Sequence, residues 1–341
     1  EDPKQFHGLE SDTESVGDFI RLFVSHNKRW RSPKFLIGES YGTTRSASLS
    51  GYMQEKHGMY LNGVLLISVV LNFGTIRFQE GLDLPHILYL PAYTATAWYH
   101  KRLPADLQAD LQKALREAEV FAEGEYATAM MLGSRLTGRA RQNIVRKLAR
   151  LTGLSTTYIE QTNLRIENRK FSRELLRDQR RTVGRLDSRF IGIERTATGE
   201  DITYDPSSAF LSGAYTAALN DLVRSELNYE SDLPYVVSAG LYMNWDYSKH
   251  QNRHVNVSEI LRSAMTKNPA LKVFVASGYY DLAPPYFATE YTLSHLELDP
   301  TLAGNITVEY YEAGHMMYAH LPSLAKLRKD MAAFITTTLA R

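Results

Sequence analysis

The run from Val64 to Leu71 is apolar at every position except Ser68. A strand with one face in water alternates apolar and polar residues, whereas a strand covered on both faces is apolar throughout. This run is therefore predicted to be a buried strand of a parallel sheet. The segments Val273–Ala276 and Ile306–Tyr311 have the composition of two further strands.

Helical patterns occur near both ends of the chain. The segment Ser15–His26 has apolar residues at spacings of three and four, and a second such segment begins near Pro322. Strands that alternate with amphipathic helices predict an α/β fold, with a mostly parallel sheet flanked by helices.

Between His100 and Pro234 the strand signal disappears and charged, helical sequence replaces it. We interpret this stretch as an inserted helical cap, which divides the chain into a first core part (1–99), a cap (100–235) and a second core part (236–341). From Arg135 to Arg189 the cap has 15 basic and five acidic residues. A solvated helix face is the better interpretation of this excess, because no nucleic-acid-binding motif accompanies it.

Composition excludes several classes of function. The 39 basic and 38 acidic residues leave a formal charge of +1, so no bulk charge favours binding to nucleic acid or to an anionic membrane. The longest apolar run is far shorter than the roughly 20 residues that a membrane span needs. Without cysteine the chain has no thiol nucleophile and no disulfide.

The strongest motif is Gly38-Glu39-Ser40-Tyr41-Gly42, which matches the nucleophile elbow G-x-S-x-G. It follows the short apolar run Phe35–Ile37 and precedes a predicted helix, as a strand–turn–helix elbow requires. We expect both glycines to be needed for close backbone approach. The Tyr41 amide, at the start of the helix, would then face an oxyanion.

A serine nucleophile needs a histidine base and an acid that orients it, in the chain order Ser, Asp, His. Asp281 follows the strand that ends at Ala276, and His315 follows the strand that ends at Tyr311. Carboxyl ends of parallel strands lie at one edge of a sheet, so the sequence predicts a triad of Ser40, Asp281 and His315. This chemistry requires no cofactor and no metal.

Three motifs together resemble the active-site motifs of the serine carboxypeptidase family, which are α/β hydrolases with a helical cap. They are Gly38-Glu39-Ser40-Tyr41-Gly42, Gly278-Tyr279-Tyr280-Asp281 and Ala313-Gly314-His315-Met316. The resemblance is closest to bacterial members, and segments such as Tyr93–His100 extend it. It implies a serine-type carboxypeptidase that releases C-terminal amino acids. The same resemblance favours a periplasmic or secreted location.

The resemblance also assigns roles to single residues. Ser40 matches the nucleophile, His315 the base and Asp281 the orienting acid, while the Tyr41 amide matches an oxyanion donor. Glu39 matches a glutamate that binds the terminal carboxylate of a peptide while protonated, which implies a preference for acid pH. Met316 matches a residue that lines the pocket for the departing amino acid.

The chain departs from the family pattern before the elbow. Family members have an Asn-Gly-Gly-Pro-Gly loop and several strands ahead of the nucleophile, and neither occurs in the 39 residues before Ser40. We therefore expect the first strands of the sheet to be missing. An N-terminal segment or a second chain would complete the fold.

Two alternatives remain open. The same triad could serve an esterase, acyltransferase or lyase, because neither fold nor triad fixes the substrate. The chain could also be an inactive fragment that acts only as a binding or structural module. Trp98, Trp245 and Asp246 could line an active-site cleft, although packing is the better interpretation for each of them.

Overall fold

A parallel sheet forms the centre of this computed structural model, which describes residues 3–238 and 240–340. Its strand order is β1-β2-β5-β6, and each neighbouring pair is parallel. A separate antiparallel pair, β3 and β4, lies in the cap. The strands are β1 Phe35–Glu39, β2 Gly63–Ile67, β3 Arg181–Val183, β4 Ile191–Ile193, β5 Lys272–Gly278 and β6 Ile306–Tyr311.

Helices precede, separate and follow these strands. In chain order they are α1 Leu9–His26, α2 Tyr41–His57, α3 Leu84–Tyr99, α4 Ala105–Gln108, α5 Leu111–Phe121, α6 Ala127–Leu132, α7 Gly138–Thr152, α8 Thr156–Gln161, α9 Asn168–Glu174, α10 Pro206–Asp221, α11 Ser258–Lys267, α12 Tyr286–Ser294 and α13 Leu321–Leu339. None of the described helices is both long enough and apolar enough to cross a membrane.

The sheet is covered on both faces, as the apolar strands predict. Successive side chains of a strand point to opposite faces. Val64 and Leu66 therefore pack with residues of α1, α2 and α11, whereas Leu65 and Ile67 pack with Leu327 of α13. The observed architecture is thus a mixed α/β fold with helices on both faces of a parallel sheet.

The cap has its own apolar core. Buried residues of α3 to α9 share one cluster with residues of the α12 region, including Tyr93, Leu148, Phe171 and Tyr286. Helix α3 belongs to the predicted first core part, yet its buried residues pack in this cluster. The end of the first core part and the cap are therefore continuous in packing.

Several predicted elements differ from those observed. Strand β2 ends at Ile67, because Ser68 turns the backbone with a φ of 52°, so the prediction of a strand through Leu71 was wrong. Helix α1 begins at Leu9 rather than near Ser15. The cap has the short strands β3 and β4, which the sequence analysis missed because runs of three residues carry little periodic signal.

The basic excess of the cap is largely compensated by ion pairs. Arg150 binds Asp106 and Glu117, and Arg165 binds Asp83. Inside the cap, Arg173 and Glu194 form a pair in which both side chains are almost fully buried. These partners reduce the net field that the sequence count alone implies.

Candidate active site

The elbow motif forms a sharp turn between β1 and α2. Ser40 has φ 55° and ψ −123°, a left-handed conformation that is strained for a residue with a side chain. Its backbone N–H donates to the carbonyl of Ile67 at 3.0 Å, which fixes the turn to the end of β2. Tyr41 is the first residue of α2, and amides in the first turn of a helix have no partner within it.

The two elbow glycines differ in how tightly they are enclosed. A Cβ atom at Gly38 would lie 2.0 Å from the carbonyl oxygen of Gly42, so only glycine fits there. A Cβ atom at Gly42 would meet nothing within 4 Å. The expectation that close backbone approach requires a small residue at both positions was therefore wrong at Gly42, where an added Cβ atom would face open space.

Asp281 and His315 are brought together beyond the ends of β5 and β6. His315 Nδ1 lies 2.7 Å from Asp281 Oδ2, and the side chains are 7% and 1% exposed. The other oxygen of Asp281 accepts a hydrogen bond from the Ala283 amide at 2.7 Å. Burial disfavours protonation of His315, but the charge and hydrogen bond of Asp281 outweigh it and raise the pKa of the imidazole.

The loop after β6 contains His315, and we call it the histidine loop. It extends back across the sheet toward Ser40. Strands β1 and β6 are at opposite edges, but Ser68, directly after β2, donates to the His315 carbonyl at 2.7 Å. His315 therefore lies over the strand next to β1. Within the described residues no hydrogen bond joins Ser40 to His315.

Glu39, the last residue of β1, lies close to this pair. Burial raises the pKa of its carboxyl, while the charge of His315 and a hydrogen bond with Tyr318 oppose that rise. Asp281 adds a further upward contribution. The carboxyl is thus favoured in its protonated form more than an exposed glutamate would be, which suits the donor role that the resemblance implies.

A cavity of about 380 Å³ opens beside Ser40. We call it the Ser40 cavity. Its other lining residues come from the elbow helix, the loop after β2, the cap, the segment between α10 and α11, and the loop that contains Asp281. They are Tyr41, Arg45, Val70, Phe73, Ile76, Arg77, Arg185, Leu241, Tyr242, Trp245, Tyr247, Ala283 and Pro284. Trp245 packs edge-on against Tyr41, with ring centroids 5.2 Å apart.

Not every predicted site residue lines this cavity. Met316 is half-buried directly after His315, but it is not among the lining residues. Glu39, Asp281 and His315 are also outside the lining set. Trp98 lies in the cap region, where the ammonium of Lys101 is 4.8 Å from its ring.

Residues 184–190 form a loop of the cap that we call the connecting loop. It is hydrogen-bonded to the loop after β5 that contains Asp281, which we call the aspartate loop. The Leu282 amide, next to Asp281, donates to the Arg185 carbonyl at 3.0 Å. The Ser188 amide donates to the Tyr280 carbonyl at 2.9 Å. Both neighbours of Asp281 are therefore fixed by the cap.

The connecting loop is bonded to the histidine loop as well. The His315 amide donates to the Leu186 carbonyl at 2.6 Å, and the Gly314 amide donates to Asp187 Oδ2 at 3.1 Å. A Cβ atom at Gly314 would lie 2.5 Å from Asp187 Cβ, so this contact requires glycine. The cap thereby fixes the position of the Asp281 loop relative to the His315 loop.

Sequence reasoning missed Asp187, Ser68 and Tyr318. Ser68 donates to the His315 carbonyl, Asp187 accepts from the Gly314 amide, and Tyr318 forms a hydrogen bond with Glu39. Each contact joins segments that are distant in the chain, and no sequence motif marks it. Gly184 and the polar residues after it are typical of a turn, which is the one local signal for the connecting loop. Within the described residues no group of three or more potential metal ligands occurs.

Comparisons with known proteins do not assign this chain to a family. No protein-family model matches the sequence, and no curated protein matches it. Among solved structures, the chain is similar to VinJ with a TM-score of 0.38 at 12% identity, over 98% of this chain and 74% of VinJ. Similarity at this level supports no conclusion about activity.

Proposed function

We propose that this chain is an α/β hydrolase of the serine carboxypeptidase type, with Ser40, His315 and Asp281 as its triad. The observation that carries the proposal is the buried 2.7 Å contact between His315 and Asp281. It lies beyond the carboxyl ends of the parallel strands, where the strained Ser40 is also located. A strained serine after a parallel strand, with an oriented imidazole nearby, is the arrangement that nucleophilic acyl transfer needs.

In this mechanism Ser40 Oγ attacks the carbonyl carbon of the last peptide bond, and His315 Nε2 takes the hydroxyl proton. Asp281 holds Nδ1 and stabilises the imidazolium. The Tyr41 amide donates to the oxyanion. His315 returns the proton to the leaving amino acid, and water, activated by the same imidazole, then hydrolyses the ester on Ser40.

Glu39 supports the preference for peptides that end in a carboxylate. A protonated carboxyl can donate to that carboxylate, whereas an ionised one would repel it. We infer that peptide binding is therefore strongest in acid. Met316 would approach the departing residue as the substrate enters.

Labelling by a fluorophosphonate tests whether Ser40 is an activated nucleophile. The parent protein should be labelled, Ser40→Ala should not, and the Ser212→Ala variant, which changes an exposed serine, should react as the parent does.

His315→Ala should also prevent labelling. The Ser40→Ala/His315→Ala double variant should hydrolyse substrate no slower than either single variant, because the two groups act as a unit. A folded parent protein that resists the reagent would favour the inactive module.

Substrate comparison separates a carboxypeptidase from an esterase, acyltransferase or lyase. The substrates are a blocked dipeptide with a free carboxylate, its C-terminal amide and a simple ester of the same acyl group. A carboxypeptidase should prefer the free acid to the amide, with release of the terminal amino acid detected by mass spectrometry. Ester hydrolysis without peptide cleavage would favour the alternative enzymes.

A further inference from the structure

The Ser40 cavity has three arginine side chains in its walls, Arg45, Arg77 and Arg185. The charge of Arg45 is compensated. Its Nε and Nη2 atoms bind the two oxygens of Asp12 at 2.7 and 2.9 Å. A bidentate pair of this kind leaves little positive charge for a ligand.

Arg77 has no such partner. No ion pair of Arg77 occurs within residues 3–238 and 240–340, and its guanidinium lies 5.5 Å from the centre of the Phe73 ring. The aromatic face orients the guanidinium but does not neutralise its charge. Arg77 therefore presents a positive charge at the cavity wall.

Arg185 is only weakly paired. Its Nε is 4.0 Å from Asp205, and that carboxylate already accepts hydrogen bonds from the backbone amides of Arg185, Leu186 and Ser207. The backbone of Arg185 is held next to Asp281 through the Leu282 amide. Its backbone is thus fixed beside the site, and its side chain contributes a second positive charge that the long contact with Asp205 compensates only in part.

The remaining wall is mostly apolar. Val70, Phe73, Ile76, Trp245 and Pro284 line it, and no carboxylate residue is among the lining residues. Such a cavity fits a short carbon chain that ends in an anion, because the chain contacts the apolar wall and the anion meets the guanidinium groups. A neutral or cationic group would leave the charge of Arg77 without a counter-charge.

We propose that the Ser40 cavity is a subsite for an acidic side chain, with Arg77 and Arg185 as its specificity-determining residues. The proposal rests on the proposed function and names its substrate class, peptides with a glutamate or aspartate next to the cleaved bond. This acidic group is distinct from the terminal carboxylate, since Glu39 lies outside the lining set of the cavity.

Binding to the Ser40→Ala protein tests the subsite without turnover. The probes are N-acetylated dipeptides in matched pairs, Glu-Phe against Gln-Phe and Phe-Glu against Phe-Gln, measured by calorimetry. In one of the two pairs, the acidic peptide should bind about tenfold more tightly than its amide counterpart. This factor is the scale of one charge-assisted hydrogen bond. The preference should shrink as salt is raised.

Substitution of the arginines assigns the preference. Arg77→Gln and Arg185→Gln should each reduce it several-fold, and the double variant should bind both members of a pair equally. Arg328→Gln is the matched control, because this exposed arginine of α13 does not line the cavity. Circular dichroism checks that each variant is folded.

The subsite proposal fails if neither acidic peptide is preferred, if no peptide binds, or if the preference survives in the double variant. Fluorophosphonate labelling of Ser40 does not depend on Arg77 or Arg185, so it reports separately on the proposed function. Labelling with no acidic preference would reject the subsite alone. An acidic preference without labelling would leave a peptide-binding site and reject the enzyme.

Discussion

Gly38 and Gly42 show how one short motif can contain two unequal positions. At Gly38 the added methyl of alanine would overlap backbone that cannot move without opening the elbow. At Gly42 the space is open, and alanine favours helix more than glycine does.

We therefore expect Gly38→Ala to destabilise the protein and Gly42→Ala to leave its stability unchanged or raise it by up to ~1 kcal/mol. The cost at Gly38 should exceed about 2 kcal/mol, because rigid backbone has to shift. Urea unfolding gives both values. Equal losses in the two variants would contradict the observed elbow geometry.

The residues of the elbow were predictable because the motif and its strand are contiguous in sequence. Asp281 and His315 were predictable for a related reason: each follows a strand, and parallel strands end at one edge. Tyr318, Arg77 and Arg185 were not, because their roles arise from side-chain contacts between segments that share no spacing rule.

The raised pKa of His315 predicts the pH dependence of ester hydrolysis. The imidazole must be neutral to accept the Ser40 proton, so kcat/KM should be low in acid and rise as His315 loses its proton. Because Asp281 raises the pKa of His315, the midpoint should lie above the ordinary histidine value of 6.5. A midpoint at or below that value would contradict this electrostatic reasoning.

Peptide substrates should show an additional effect through Glu39. Since burial raises the pKa of Glu39 above its ordinary 4.5, the carboxyl stays protonated further into the acid-to-neutral range. KM for a free-acid peptide should rise as pH passes this pKa, whereas KM for the peptide amide should not. Glu39→Gln keeps a neutral donor and should abolish the difference in pH profile. Identical profiles for acid and amide in the parent would exclude this role.

At the scale of elements, the connecting loop fixes the Asp281 loop and the His315 loop relative to each other. Asp187 accepts from the Gly314 amide, and it also binds Arg189 through Nε at 2.9 Å and Nη2 at 2.7 Å. Arg189 in turn donates to the Glu312 carbonyl at 2.8 Å. Asp187 is thus a positioning residue that acts through Gly314 on the neighbouring His315.

Asp187→Ala should lower kcat by about 100-fold with little change in KM, because a misplaced base slows the chemical step. Asp187→Asn should recover part of that loss, since its amide oxygen can still accept from Gly314. Asp178→Asn, which removes the partner of Arg102 at the surface, is the control and should behave as the parent does. Rates that fall equally in the alanine and asparagine variants would indicate a role for charge rather than position.

Strands marked by a continuous apolar run were predicted, and the short strands without such a run were not. The buried strand β2 was evident from its apolar residues, although its end depended on the backbone turn at Ser68. Strands β3 and β4, three residues each, became visible only through their pairing. Their hairpin is the base of the connecting loop, for which the turn-like sequence after Gly184 was the one local signal.

For the whole molecule, β1 is the element that most affects solution behaviour. It forms one edge of the parallel sheet, and its outer side has no strand partner among the described residues. Ile37, in the middle of β1, is 57% exposed. Exposed aromatic side chains at Phe19, Phe23 and Trp30 precede it. An apolar, unpaired edge is a site for strand addition.

We expect the isolated chain to self-associate through this edge, and Ile37→Lys to reduce the association. A lysine in an edge strand keeps its charge in water and opposes pairing with a second strand. Ile193→Lys is the matched control, because Ile193 is 64% exposed but lies in the cap hairpin. Sedimentation velocity over a range of concentrations should show larger species for the parent and for Ile193→Lys, and a monomer for Ile37→Lys. A parent protein that stays monomeric at every concentration would show that the β1 edge needs no partner.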